Sequence, residues 1–315
     1  MLTGEWSEWN KEPVDSETRT KAERAVRTAC ENGITLFDLA EIYAYGNVES
    51  AFGDVLKRSP GLRQKIVIQT KCGIYLPYPC CEPADPVQYD SSYEKIVGAV
   101  EGSLRRLSTD RLDILLLHRP DPLGEPQEVA RAFDELHRSG KVRYFGVSNH
   151  TAAQIDLLKK YVRQPLVVNQ VQLGLMHPYL ITEGVNFNLR GQRRLNQEYT
   201  GAAGTLDYCR LNEIQIQAWG SSQGLSGSAP GFEQGDFPTA KATMDLLTKI
   251  GEEKRVSAYA VALAWLLRHP AGILPIVGVK NSKHLVDDCL ADKVSLTREE
   301  WYSLLLVATG GPGMP

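Results

Sequence analysis

Four side chains of this 315-residue chain make a set that can move a proton: Asp38, Tyr43, Lys71 and His118. A tyrosine alone is a poor acid at neutral pH, with a reference pKa of about 10. A neighbouring ammonium favours the phenolate and lowers that value. A buried lysine keeps its charge only beside a counter-charge, which Asp38 can supply. A histidine can orient a carbonyl and share the proton. Together the four make a general acid for a carbonyl oxygen as hydride reaches the carbon. Positioned proton transfer of this kind is typically worth roughly 100- to 10,000-fold in rate. Taken singly, Asp38 and Lys71 also suit a plain buried ion pair, and His118 a hydrogen-bonded core residue. The combination at strand ends is what points to chemistry.

The elements that must position them alternate along the chain. Strands are expected at Ile34–Asp38, Lys65–Lys71, Leu112–Leu117, Val142–Val147, Leu166–Gln172, Glu213–Trp219 and Ile273–Val277. Each is a short apolar run without clean alternation, which suits a parallel sheet covered on both faces. Helices are expected between them: 16–32 capped by Ser16, Glu49–Lys57, Ser91–Leu107, Gln127–Ser139 and one from the Thr151 cap to about Val162. Later helices are Thr239–Glu253, Ala258–Arg268, Ser282–Leu290 and Thr297–Val307. No GxGxxG follows a strand, which argues against a doubly wound dinucleotide-binding sheet. Polar residues recur at strand C-terminal ends: Asp38, Lys71, His118, Ser148-Asn149, Gln170 and Trp219. Those ends meet around one pocket in a parallel barrel. The expected fold class is therefore α/β, a TIM-type (β/α)8 barrel formed by 1–315 as a single domain. Residues 181–204, rich in charges, amides and glycines, read as a loop insertion, either an ordered lid or an idle solvated segment.

Composition narrows the classes. The chain is 43% hydrophobic with a formal net charge of -3 and no basic block, so no nucleic-acid partner is expected. No apolar run approaches the length needed to cross a bilayer, and no secretory signal is visible, so neither a membrane nor an export route is expected. The six cysteines lack a CxxC or Cys/His spacing, so no metal site is expected; reduced thiols and a cytoplasmic location are. Adjacent Cys80-Cys81 leaves a redox reading open.

Five motifs then resemble those of the aldo-keto reductases, in the same order. They are Phe37-Asp38-Leu39-Ala40-Glu41-Ile42-Tyr43, Thr70-Lys71-Cys72-Gly73, Leu115 to Asp121, Gly140 to Asn149, and Val168-Asn169-Gln170. The His118-Arg119-Pro120-Asp121-Pro122 stretch is similar to a YdhF-like bacterial subgroup. The resemblance implies Tyr43 as proton donor, Lys71 depressing its pKa, Asp38 holding Lys71, and His118 orienting the substrate carbonyl. It implies NADPH as cofactor, with NADH possible, and a small-molecule carbonyl substrate; it assigns no oligomeric state. Ser148, Asn149 and Gln170 match positions that hydrogen-bond the nicotinamide carboxamide. Trp219 falls where an aromatic ring stacks on the nicotinamide, although core packing would also explain it. Ser148-Asn149 can serve as a helix cap as well.

The match is imperfect at the phosphate end. After Trp219 the family usually has Ser-Pro-Leu-Gly, whereas this chain has Gly220-Ser221-Ser222-Gln223-Gly224. Gly278 and His284 stand where many NADPH-specific members carry a lysine and an arginine; Lys280 and Lys283 are close enough to replace them as point charges. Asp287 and Asp288 can meet the adenine end or face solvent. Trp6, Trp9, Tyr45, Tyr75 and Tyr78 lie in loops, where they can line a pocket for an apolar or aromatic carbonyl or serve as ordinary packing aromatics. A non-catalytic, cofactor-sensing barrel is the alternative reading.

The resemblance also implies a hairpin and a first strand ahead of Gly4-Glu5-Trp6, so the first barrel strand is expected to be missing or truncated. Unpaired sheet edges are a liability. A 1–315 chain is expected to be less stable and less active than one extended upstream, measured by thermal unfolding and turnover of the two side by side. A cooperative, fully active 1–315 would contradict that expectation.

Overall fold

Strand parity decides which side chains of β2 (Val67–Cys72) can do chemistry and which can only pack. Successive strand residues point to opposite faces. Gln69 and Lys71 therefore share one face and both reach Asp38. Thr70 points the other way, and its hydroxyl donates to Glu49 at 2.6 Å. The structure, a computed structural model, describes residues 14–75, 88–185, 204–228, 237–278 and 282–311.

The chain divides into two compact units, Met1–Asn169 with Gly278–Ser282, and Gln170–Val277 with Lys283–Pro315. In the first, β1 (Leu36–Asp38) pairs in parallel with β2, Asp38 lying opposite Gln69. A small antiparallel pair, β3 (Ile74–Tyr75) and β4 (Gln88–Tyr89), follows. Then come β5 (Leu112–Leu117), parallel to β2, and β6 (Val142–Ser148), parallel to β5. Next to β6 in the strand order stands β7 (Leu166–Gln172), which runs through the unit boundary. In the second unit β8 (Gln215–Trp219) pairs in parallel with β9 (Leu274–Pro275), Gln217 lying opposite Leu274. Parallel strands separated by helices are the pattern of the (β/α)8 class. The structure describes no strand before Leu36.

Helices cover the strands through apolar stripes. The helix Ser16–Glu31 buries Ala22, Ala25, Val26 and Ala29. Tyr93–Leu107 buries Ile96, Val100, Leu104 and Leu107, and Pro126–Arg138 buries Val129, Ala132, Phe133 and Leu136. Asn47–Arg58 carries Glu49, which has no exposed surface. Its carboxylate is satisfied by Thr70 and, at 2.7 Å, by Arg106 Nε. A buried charge needs such partners. A second tie comes from the start of β5: Asp113 accepts from the Ile68 amide at 2.9 Å and pairs with Arg63 at 2.8 Å.

The structure departs from the sequence expectations in several places. The N-cap of the first helix is Asp15 rather than Ser16, because its carboxylate reaches the Thr18 amide at 2.6 Å while Ser16 is already helical. β8 begins at Gln215, two residues late, since Glu213 turns with φ of 56°. The helix after Thr151 stops at Lys159 rather than near Val162. Tyr75, expected in a loop, belongs to the short strand β3. The helix Tyr179–Val185 occupies the first residues of the expected 181–204 loop insertion, and the helix Thr205–Leu211 follows it; 186–203 lies outside the described residues, as do Cys80-Cys81, Trp6, Trp9 and Tyr78. Among the described residues no helix is long and apolar enough to cross a membrane, and no cluster of potential metal ligands occurs.

Gly53 tests the packing behind β2. A β-carbon there would overlap the Arg106 carbonyl oxygen and crowd Leu107, both backbone groups of the neighbouring helix. Gly53→Ala is expected to destabilise the fold by roughly 1 to 3 kcal/mol, as overpacking does. The midpoint of urea unfolding measures it, and an unchanged midpoint would contradict this close approach.

Candidate active site

Lys71 is the centre of the site. Its side chain has no exposed surface, and Nζ donates to Asp38 Oδ2 at 2.7 Å, to the Leu39 carbonyl at 2.8 Å and to Tyr43 Oη at 3.2 Å. Three acceptors match the three donors of an ammonium. Burial pushes the Lys71 pKa down, but the Asp38 carboxylate and the Tyr43 oxygen outweigh it, and the net value lies above the ordinary one. Lys71 is therefore an ammonium across the neutral range. The other Asp38 oxygen is fixed as well: Gln69 Nε2 donates to Oδ1 at 2.6 Å.

The loop from Asp38 to Tyr43 follows the edge of β2. The Leu39 amide donates to the Gln69 carbonyl and the Glu41 amide to the Lys71 carbonyl. Tyr43 opens a short 3-10 turn, Tyr43–Gly46. Burial raises the Tyr43 pKa, Lys71 lowers it, and Asp38 raises it again; the net is above the ordinary phenol value. Lys71 pulls in the expected direction, but desolvation of the phenolate is larger. Tyr43 is thus a phenol at neutral pH, with a cation in place to receive the negative charge left when its proton departs.

His118 directly follows β5, and its amide continues the β2–β5 ladder by donating to the Cys72 carbonyl at 2.8 Å. Its ring meets the Tyr43 ring edge-on, with centroids 5.8 Å apart. Burial first, then Lys71 and Arg119, push its pKa down to about 2, so the imidazole is neutral. Its Nδ1 is buried with no hydrogen-bond partner among the described residues.

Beside it, Ser148 ends β6 and is buried. Asn149 adopts φ of 61°, and its Nδ2 donates to the His118 carbonyl at 3.2 Å and to Ser148 Oγ at 3.0 Å. Neither residue caps the following helix. Thr151 does that, in a reciprocal box with Gln154. One unit thus brings together six of the expected site residues: Asp38, Tyr43, Lys71, His118, Ser148 and Asn149.

The other expected residues are spread. Gln170 and Trp219 belong to the second unit. There Gln170 is buried and its Nε2 donates to Gln217 Oε1 at 2.9 Å, while Trp219 ends β8 half-buried. Gly220 turns with φ of 66°, which favours glycine. Gly278 is exposed and belongs to the first unit; His284 is exposed in the helix Ser282–Asp288 of the second. Burial raises the Asp288 pKa to about 6, with His284 pulling it down and Asp287 pushing it up. Lys280 lies outside the described residues.

Sequence reasoning missed Gln69, Gln217 and Arg119. Gln69 was within reach, because it stands two residues before Lys71 on the same strand and so must share its face. Gln217 stands likewise two residues before Trp219.

Comparison with known proteins bears on this geometry. Residues 1–304 match the sequence model of the aldo/keto reductase family. The chain is 36% identical over 300 residues to the 6-dehydroglucose reductase of Agrobacterium fabrum, covering 94% of this chain and 91% of that protein. It is 35% identical over 279 residues to the oxidoreductase YdhF of Escherichia coli, covering 88% of this chain and 84% of that one. A crystal structure of an aldo/keto reductase from Klebsiella pneumoniae in complex with NADP and acetate has the same fold, with a TM-score of 0.67 and 25% identity across 94% of this chain and 87% of that chain.

The buried ion pair has a thermodynamic signature. Lys71→Met strands Asp38 without its cation and is expected to cost about 3 to 5 kcal/mol. Urea unfolding of variant and wild type side by side measures it; an unchanged midpoint would contradict the pairing.

Proposed function

The chain belongs to the aldo/keto reductase family, and on that premise we propose that it reduces a small aldehyde or ketone to an alcohol with NAD(P)H, Tyr43 giving the proton. The observation that carries this reading is the fully buried Lys71 ammonium within hydrogen-bond distance of both Asp38 and Tyr43. Reduction of a carbonyl leaves negative charge on its oxygen, which a phenol can protonate if the resulting phenolate is stabilised. Lys71 does that at 3.2 Å, Asp38 holds Lys71 from behind, and Gln69 in turn holds Asp38. His118, neutral and T-shaped to Tyr43, is suited to hold the carbonyl oxygen by a neutral N–H donor.

The residues at hand fit a nicotinamide. A carboxamide needs both donors and acceptors, and Ser148 and Asn149 of the first unit offer hydroxyl and amide groups of both kinds. The Nδ1 of His118, buried and without a hydrogen-bond partner among the described residues, lies in the same unit as Ser148 and Asn149. In this reading Ser148 and Asn149 hold the carboxamide, and the family resemblance assigns Gln170 to the carboxamide, Trp219 to the nicotinamide ring and Gly220 to the turn at the pyrophosphate. The family resemblance assigns Gly278, Lys280, His284 and Asp288 to the adenosine end; Lys283, in the second unit, is exposed and is a candidate cation for a 2′-phosphate. The chemistry supplied by the reduced nicotinamide, when bound, is the hydride.

The NADP complex of the Klebsiella pneumoniae relative supports NADPH as the first cofactor to test. The likeness to a 6-dehydroglucose reductase adds a sugar-derived carbonyl to the substrates worth testing beside apolar and aromatic ones.

Tyr43→Phe removes the proton and leaves the shape. Turnover with an aldehyde and ketone panel is expected to fall roughly 100- to 10,000-fold, while NADPH and NADH binding, followed by nicotinamide fluorescence, stays intact. Full turnover in the variant would show that another group gives the proton. Cofactor binding without turnover of any carbonyl would favour the cofactor-sensing barrel, and no cofactor binding by the wild type at millimolar NADPH a degenerate one.

A further inference from the structure

We propose that Glu41 is a positioning residue, which clamps the loop carrying Tyr43 to the backbone beyond Lys71 and so sets the contact between the two. The inference rests on the proposed role of Tyr43, but its structural half stands apart from catalysis.

The argument starts from a loop whose backbone is unfavourable. Immediately after Tyr43, Ala44 and Tyr45 have φ of 46° and 54°, and Gly46 has 85°. Left-handed backbone suits glycine but crowds the β-carbon of other residues. A loop of this kind persists only when its surroundings fix it. Its ties to β2 are in series. Leu39 gives its amide to Gln69 and its carbonyl to Lys71 Nζ, and the Glu41 amide then reaches the Lys71 carbonyl at 3.2 Å. The Glu41 side chain extends the series one step further, its Oε1 accepting the Gly73 amide at 3.2 Å. One residue thereby grips the strand on both sides of Cys72, and it stands two residues before Tyr43. Gly73 itself has φ of 95°, so the chain turns where the clamp closes.

Glu41 also lies on the wall of a cavity of about 300 Å³ in the first unit, shared with Gly73, Tyr75, Lys95, Arg105 and Arg106. The charged groups around it come from every neighbouring element: Glu49 of the helix Asn47–Arg58; Glu94, Lys95, Arg105 and Arg106 of the helix Tyr93–Leu107; and Asp90 next to β4. Burial raises the Glu41 pKa to about 7; the Gly73 amide, Arg106 and Lys95 pull it down, and Glu49 pushes it up. A carboxylate accepts a hydrogen bond more strongly than a carboxylic acid does. The clamp therefore tightens as pH rises through the neutral range and slackens below it.

Two variants of the full chain separate positioning from mere packing. Glu41→Gln keeps an acceptor for Gly73 but cannot ionise, and Glu41→Ala removes the acceptor. The readouts are kcat, KM, cofactor Kd, and the Tyr43 resonance in protein labelled with [13Cζ]-tyrosine, assigned by its loss in Tyr43→Phe. The wild-type Tyr43 resonance is expected to step with a midpoint near 7, and the step to vanish in Glu41→Gln, which keeps most of the alkaline turnover. Glu41→Ala is expected to lose up to about a hundredfold in kcat, as a displaced catalytic group does, with cofactor Kd unchanged. The proposal is overturned by wild-type turnover in Glu41→Ala, or by a wild-type Tyr43 resonance with no step near neutrality. If Glu41→Ala does not fold, the resonance in wild type and Glu41→Gln decides alone. A wild type inert towards every carbonyl would refute the reductase reading, while the resonance would still report on the clamp.

Discussion

A single ammonium with no solvent is the constraint around which the first unit is built. Lys71 Nζ has water on no side, so its three hydrogens must find acceptors inside the protein. It finds a carboxylate, a main-chain carbonyl and a phenol. Each acceptor comes from the eleven-residue stretch Gly33–Tyr43. That stretch must therefore lie along β2 in one register, with Asp38 opposite Gln69. A shift of one residue would turn Asp38 away and leave the charge unpaired. The register that satisfies a buried cation is the same one that sets a phenol against it.

The other buried charges secure this register from behind. Glu49 binds Thr70 on the reverse face of β2 and Arg106 on the next helix. Asp113 binds the Ile68 amide and Arg63. Both carboxylates tie β2 to its neighbours by accepting hydrogen bonds from Ile68 and Thr70, just ahead of Lys71, so the strand cannot slide without breaking both. Burying these charges is costly, and such pairs specify an arrangement more than they add net stability. A site that depends on distances near 3 Å is where such specification is useful.

Much of this was legible from the residues alone. Apolar runs ending in polar groups gave seven strands close to those found, and the order Asp38, Tyr43, Lys71, His118 pointed to one proton-transfer set. The gaps have physical causes. The Asp15 cap differs from its neighbour Ser16 only in which side chain reaches the Thr18 amide, and both residue types favour that position. Short helices such as Thr205–Leu211 have too few turns to show a periodicity. The net rise of the Tyr43 pKa is a balance between burial and Lys71, and burial at a loop position leaves no mark in residue type. Gln69 and Glu41 looked like ordinary polar residues until their hydrogen bonds to Asp38 and Gly73 gave them a place.

The central claim is that a charged lysine is held permanently between Asp38 and Tyr43. The most direct measurement is a 15N NMR titration of Lys71 Nζ in the intact chain, assigned with Lys71→Met. The account predicts an ammonium signal throughout the neutral range, with deprotonation only above the ordinary lysine value of 10.5. A neutral amine at pH 7 would contradict it, because neither the Asp38 pairing nor the stabilisation of a Tyr43 phenolate would then hold.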